Sequence, residues 1–346
     1  MQQERFGAEP EGKRLEKVQQ SPNYSDESFH NQLPTTVLKE GESTLSIIFS
    51  NMFSSAKNLQ PEHSVPTDKV DLKTLPDDKD VIVWLGHSSF YIQLNGQRIL
   101  LDPVLSPYAS PFSFAVKAFK GTSIYSVDDI PDIDLLLITH DHWDHLDYDT
   151  ITALQPKIKQ LFVPLGVGAH FEKWAFTQDQ INESDWYGDY NLGSDTTVYL
   201  VPSRHYSGRG LTKNKTLWGG YIVEDGDTRL YFGGDSGYGP HFKELGEKFG
   251  QFDLAALDMG QYDPRWPYIH MTPEEASQAA LELNTKALLP AHVGRFTLAQ
   301  HEWKEPFKQI SALSEGKPYQ LVTPLIGQAL FINDASQSFT EWWNDM

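Results

Sequence analysis

The chain has 346 residues, 12% of them aromatic, no cysteine, and a formal net charge of −19. That length and composition describe a globular chain of one large domain or two smaller ones, with a sizeable core either way. The charge argues against nucleic acid and against general adhesion to anionic lipid. The missing cysteines exclude disulfides, thiolate-held zinc or iron–sulfur clusters and thiol nucleophiles.

In chain order, residues 1–80 carry Pro, Ser, Asn and mixed charge with little periodicity, and read as an N-terminal arm. Within it, LSIIFSNMFSS (45–55) is a short amphipathic helix candidate that docks on the body. Its apolar face gives only weak support to a membrane contact, because it is short and lacks Lys and Arg. No stretch approaches 18 uninterrupted apolar residues, so no transmembrane helix is expected. The first residues, MQQERFGAEPEGKR, have no apolar h-region. The expected location is cytoplasmic, or periplasmic or membrane-associated if a leader has been removed.

Residues 81–346 read as one domain. VIVWL (81–85), FYIQL (90–94) and RILLD (98–102) are strands, the last two joined by an Asn95–Gly96 hairpin turn. Strands and helices then alternate. LLLIT is followed by a helix near 147–155, and LFVPL by a helix near 167–176. TVYLVPS (196–203), LWGGYIVE (217–224) and RLYFGGD (229–235) follow, then a helix near 239–249. After LAALDMG (254–260), Thr272-Pro273-Glu274-Glu275 opens a helix with a capping residue, Pro at the first position and acids in the first turn. ALLPAH (287–292), a helix near 302–314 and strands near 319–332 finish the chain. Strands outnumber helices, which suggests sheets covered by helices on their outer faces.

Several apolar strands end in a metal-type residue. LLLITHDHWDH places His140, Asp141, His142, Asp144 and His145 within six positions. TVYLVPSR leads to His205, LYFGG to Asp235 and ALLPA to His292. Sites in α/β architectures collect beyond the carboxyl ends of strands, so these four segments are expected to converge. The expected division gives one ion to His140, His142 and His205, and a second to Asp144, His145 and His292, with Asp235 bridging. Nitrogen and oxygen donors without sulfur suit zinc first, with manganese or iron as alternatives. Two divalent ions would lower the pKa of a bridging water, supplying a hydroxide nucleophile without Ser or Cys.

With these residues, WLGHSSF (84–90), LDPVLSPYASP (101–111), HYSGRGL (205–211), GGDSGYGPHF (233–242), HMTPEEA (270–276) and AHVGRF (291–296), the chain resembles the metallo-β-lactamase superfamily. It is most similar to the N-acyl-phosphatidylethanolamine-hydrolysing phospholipase D branch, and more distantly to L-ascorbate-6-phosphate lactonases. The resemblance covers about residues 80–300. It implies an α/β fold, the αββα sandwich of two mixed sheets flanked by helices, and the dinuclear assignment above. It also implies that His270 lies beside the metals, orienting substrate or giving a proton to the leaving group. Asp144 is counted among the catalytic residues as well as the ligands. Arg209 and Tyr206 are expected at the substrate, Arg209 on a phosphate oxygen; Arg204 is the other candidate. His87 is expected behind the ligands or in sheet packing, and Asp147 either orients a ligand imidazole or caps a helix.

The expected function is hydrolysis of a phosphodiester, in a lipid-like or other small-molecule substrate. The alternatives are a lactonase or carboxylic-ester hydrolase acting on a small phosphorylated substrate, and a non-catalytic metal-binding scaffold. Nucleic acid is not an expected partner; a homo-oligomer is left open.

Overall fold

The computed structural model describes residues 2–43, 56–193, 195–332, 334 and 336–346. A small hairpin of β1 (Tyr24–Ser25) and β2 (Ser28–Phe29) lies in the arm. The body explains itself in β3 (Val81–Gly86), where side chains alternate between two cores. Ile82 and Trp84 join one apolar cluster, while Val81, Val83 and Leu85 join another. The period of two makes each strand present one face to each layer, and both faces here are apolar, so the sheet is covered on both sides.

Seven strands form the first sheet, in the order β16 (Ala329–Phe331), β3, β4 (Ser89–Leu94), β5 (Gln97–Leu101), β6 (Ile133–Leu137), β7 (Ile158–Pro164), β8 (Ile181–Ser184). Seven more form the second, in the order β15 (Gln320–Leu321), β14 (Ala287–Ala291), β13 (Leu254–Asp258), β12 (Thr228–Phe232), β11 (Gly220–Asp225), β10 (Thr196–Val201), β9 (Asp189–Gly193). The central cluster draws Phe90, Ile92 and Leu137 from one sheet and Leu200, Tyr221 and Phe232 from the other. Outside the first sheet pack the helices α3 (Tyr148–Leu154) and α4 (Gly168–Lys173). Outside the second pack α5 (His241–Phe249), α6 (Pro273–Glu282) and α7 (Glu305–Ser314). This is the expected αββα sandwich.

Strand direction positions the site. β3, β5, β6 and β7 run the same way in one sheet, and β10, β12, β13 and β14 the same way in the other. Every one of the residues predicted to meet a metal follows the carboxyl end of one of these strands.

Two features differ from expectation. β8 and β9 are strands that the sequence reading passes over, because INES and DYNLG are polar, half-exposed edge segments with no apolar alternation. The arm also contributes to the core. It includes α1 (Gln2–Arg5) and α2 (Gly12–Gln19), and its Val18 and Phe29 are fully buried in the central cluster. The helix candidate 45–55 lies outside the described residues.

Tyr221 ties the layers together. Rising from β11, its hydroxyl lies 2.9 Å from Ile138 O and 2.8 Å from Phe162 O of the opposite sheet. A Tyr221→Phe substitution leaves those buried carbonyls without that donor. It is expected to cost about 1–3 kcal/mol, read as a lower urea midpoint at unchanged slope.

Candidate metal centre

The loop after β6 carries the densest set of donors. The His140 Nε2 lies 2.8 Å from His142 Nδ1, and His205 Nε2 lies 3.2 Å from the same atom. Asp235 Oδ2 is 3.7 Å from His140 Nε2 and 3.6 Å from His205 Nε2. Ligands of a tetrahedral ion bonded at about 2.0–2.1 Å stand roughly 3.3 Å apart, which is this spacing. On the other side, Asp144 Oδ2 is 3.7 Å from His145 Nε2 and 3.8 Å from His292 Nε2. Asp235 Oδ1 reaches this group too, 3.1 Å from His145 Nε2 and 3.0 Å from His292 Nδ1. Asp235 thus faces both groups, one carboxylate oxygen to each.

The donor chemistry fits a metal. His145 Nε2, His292 Nε2 and Asp235 Oδ1, all facing the second group, are buried with no hydrogen-bond partner among the described residues. Buried polar atoms are ordinarily paired, so three unpaired ones facing a single point suit a cation. The second nitrogens are mostly accounted for. His205 Nδ1 donates to Ile269 O at 3.0 Å, and His145 Nδ1 to Asp102 Oδ2 at 2.7 Å. Each bond fixes a tautomer that leaves Nε2 free to ligate.

Electrostatics divide the two groups. Burial, with neighbouring imidazoles, holds His140 well below the usual histidine range. Burial does the same to His205 and pushes His142 down to about 4. Burial also lowers His145, but Asp235, Asp144 and Asp102 outweigh it and hold this imidazole well above that range. Burial would raise the Asp144 and Asp235 carboxyls; His145 leads the groups that keep both ionised.

Supporting residues surround the donors. Asp102, at the end of β5, also accepts from Thr139 N and Thr139 Oγ1 at 2.7 and 2.6 Å. His87, fully buried at the end of β3, lies with Nε2 2.9 Å from Asp144 Oδ2. Next to it, Ser88 Oγ is 3.1 Å from His292 Nδ1, and His292 N–H donates to His87 O. One turn therefore holds two donors of the same group. His87, Asp102 and His292 all have positive φ, at 57°, 42° and 57°, a conformation that costs on the order of 1–3 kcal/mol in such residues.

His270 stands at the edge of the site, its ring 5.1 Å from His205 and 5.0 Å from His292. Its Nδ1 lies 2.7 Å from Oδ2 of the buried Asp258, at the end of β13. Burial lowers the His270 pKa, but Asp258 outweighs it and the net shift is upward. The Tyr206 ring lies edge-on against His142 at 4.4 Å and tilted to His205 at 4.9 Å. Among the described residues its hydroxyl has no hydrogen-bond partner, and burial keeps it protonated.

Arg209 is not where the sequence reading puts it. It is buried over the Trp143 ring and donates to the carbonyls of Asp141, Leu146 and Arg5. It fastens the arm to the metal-binding loop instead of reaching for a phosphate. Arg204 acts alike, on Thr35, Pro34 and Tyr238. Asp141 turns from the donors toward Gly208 N, Thr216 Oγ1 and His170. Asp147 caps α3 and accepts from Ser106. Asp102, Asp258 and Ser88 were not singled out, although RILLD and LAALD end in Asp just as the ligand strands end in His.

A family model described as the beta-lactamase superfamily domain matches residues 97–293. The chain belongs to the beta-lactamase superfamily. A Mycobacterium tuberculosis protein described only as uncharacterised is 37% identical over 314 residues, 90% of this chain and 84% of its own. The N-acyl-phosphatidylethanolamine-hydrolyzing phospholipase D 1 of Caenorhabditis elegans is 33% identical over 298 residues, covering 78% of this chain and 82% of its own. Among solved structures, the metallo hydrolase Igni18 of Ignicoccus hospitalis superposes with a TM-score of 0.56 at 18% identity, covering 73% of this chain and 97% of its own. The chain is a metal-dependent hydrolase of the beta-lactamase superfamily, in the branch of the nematode phospholipase.

The turn at His87 makes one group of donors separable from the other. His87→Ala is expected to weaken metal retention by Asp144, His145 and His292 about 10–100-fold, while His140, His142 and His205 keep theirs. Metal content after graded dialysis against chelator reads the difference, and His87→Gln, which can still donate to Asp144, should recover part of the loss.

Proposed function

We propose that the protein is a dinuclear phosphodiesterase acting on a phospholipid of the N-acyl-phosphatidylethanolamine type. The observation that carries this reading is Asp235 standing between two groups of donors, with the His270–Asp258 pair at the rim. His140, His142 and His205 would hold one ion, and Asp144, His145 and His292 the other, zinc being the first candidate for this N/O donor set. When bound, such ions supply an activated water at neutral pH and polarise a phosphoryl oxygen. The name of the nematode relative supports the choice of substrate.

The rest is work for the chain's own groups. Asp258 raises the His270 pKa and so favours the protonated form, from which His270 can give its Nε2 proton to the departing alkoxide oxygen. Tyr206, protonated and with an unengaged hydroxyl, can donate a hydrogen bond to a phosphoryl oxygen. Asp144 is kept ionised by His145, His87 and His292 around it.

Purified metal-loaded protein is expected to cleave N-acyl-phosphatidylethanolamine and bis-p-nitrophenyl phosphate, and His142→Ala to abolish both. Hydrolysis of sugar-phosphate lactones with no phosphodiester cleavage would replace this reading with an ester hydrolase. His270→Ala should lower kcat by about 10²–10⁴-fold on an alkyl leaving group and far less on p-nitrophenolate, which leaves without a proton. Asp258→Asn, by removing what raises His270, should move the alkaline limb of kcat to lower pH.

Loading should also show the electrostatic split. The first three imidazoles are already neutral at pH 7, so an ion entering there displaces no proton from them. His145 is held protonated, so an ion entering its group must expel that proton, and affinity there rises with pH until the raised pKa is passed. On acidification the His145 group is expected to lose its ion first, and titration calorimetry in buffers of different ionisation enthalpy should show proton release for that ion alone.

A further inference from the structure

The chain's negative charge is not spread evenly. It has 47 Asp and Glu, yet none lies between residues 103 and 127 or between 196 and 223. The first stretch follows Asp102 at the end of β5, and the second passes along β10 and through His205. Both loops therefore leave strand ends that carry the metal centre.

The first loop is a hairpin. Ala109 N–H donates to Val116 O and Ala118 N–H to Pro107 O, both at 2.9 Å, and Tyr108 pairs with Lys117. Turn tips ordinarily carry small polar residues. This one carries Phe112 and Phe114, 44% and 76% exposed, with their rings stacked 5.5 Å apart. The base is firmly held. Val104 and Ala109 pack on Phe296, whose ring meets His87 at 5.1 Å. Ser106 Oγ donates to Asp147 at 2.6 Å, and Tyr108 hydroxyl to Asp149 at 2.8 Å. Behind the tip, Lys117 and Lys120 are exposed and meet no carboxylate among the described residues. On the second loop Leu211 is fully exposed, and the Lys213 ammonium sits 4.9 Å over the Tyr206 ring beside the metal donors.

We propose that the Phe112–Phe114 tip, backed by Lys117 and Lys120 and joined by Leu211 and Lys213, docks on an anionic lipid surface and presents the metal centre to it. The proposal rests on the lipid-phosphodiester reading above. An exposed aromatic tip partitions into the headgroup–acyl boundary, and lysines with no carboxylate partner of their own are drawn to anionic headgroups, although Asp149 at Tyr108 and Glu9 at Thr212 lie at the loop bases. Charge decides against a second copy of the chain, because self-association through this face would set its lysines against one another.

Sedimentation of the full-length protein with vesicles tests this. Binding to phosphatidylcholine vesicles containing phosphatidylglycerol is expected, weaker in high salt. The pair Phe112→Ser and Phe114→Ser should lower the partition coefficient by about tenfold or more. The pair Lys117→Gln and Lys120→Gln should remove the preference for phosphatidylglycerol. Hydrolysis of soluble bis-p-nitrophenyl phosphate should be unchanged in both, which shows that the variants fold. Failure of the wild type to sediment, or equal sedimentation of the phenylalanine variant, overturns the proposal. So does a solution dimer that the phenylalanine variant dissolves without any vesicle binding. Vesicle binding lost in the phenylalanine variant, with no phosphodiester cleaved by any form, leaves the docking surface in place and refutes the hydrolytic reading instead.

Discussion

Burying ionisable groups together is the constraint on which the structure turns. His87, His140, His145, His205, Asp235 and His292 are each at most 2% exposed, and they share one space. Desolvation alone would drive the imidazoles neutral and the carboxylates protonated. The arrangement resists this only where opposite charges are close. Asp144 and Asp235 stay ionised because His145 stands between them, and His145 stays charged because Asp235 and Asp144 face it while Asp102 backs it from the far side. Burial, with like neighbours, drives His87, His140 and His205 toward the neutral form. Such a cluster is expensive to fold around and well suited to accept cations, which satisfy the carboxylates and the buried nitrogens at once.

That constraint explains the supporting residues. A carboxylate or imidazole can hold a ligand's tautomer only if it is fixed itself, so Asp102 is tied by Thr139 on one side while it fixes His145 on the other. The arm serves the same purpose. Asn31 brackets the backbone of His205, accepting from its N–H at 3.1 Å and donating to its carbonyl at 2.7 Å. Arg209 binds Arg5 O to the loop of His142 and Asp144, and Phe6 packs edge-on to Trp143 at 5.1 Å. Residues far apart in sequence thereby make the metal-binding loop rigid without touching a metal.

Much of this was legible in the sequence, for identifiable reasons. His140, His142, Asp144 and His145 stood out because a run of adjacent imidazoles has no packing rationale. Sheets covered by helices were legible because apolar strands outnumber helices, while the αββα sandwich itself was what the family resemblance implied. Other features were hidden by their ordinariness. Asp102 and Asp258 are single acids after apolar runs, a pattern that strand ends and helix caps also produce. The polar edge strands β8 and β9 lack the alternation that marks a half-buried strand. Arg209 was misread because its partner carbonyl lies 204 positions away, and an arginine beside a ligand histidine looks the same in sequence whether it meets substrate or backbone.

The distribution of charge connects the interior to the surface. A net charge of −19 would repel an anionic phosphodiester from most of the molecule. Two loops that leave the metal centre carry no acid of their own, so the charge they present there is that of Lys117, Lys120 and Lys213, not the chain's average. Acidic residues elsewhere then have a use: they make the rest of the surface unattractive to the same substrate. Composition alone argues against anionic ligands, and placement reverses that argument at the one edge where the carboxyl ends of both sheets meet.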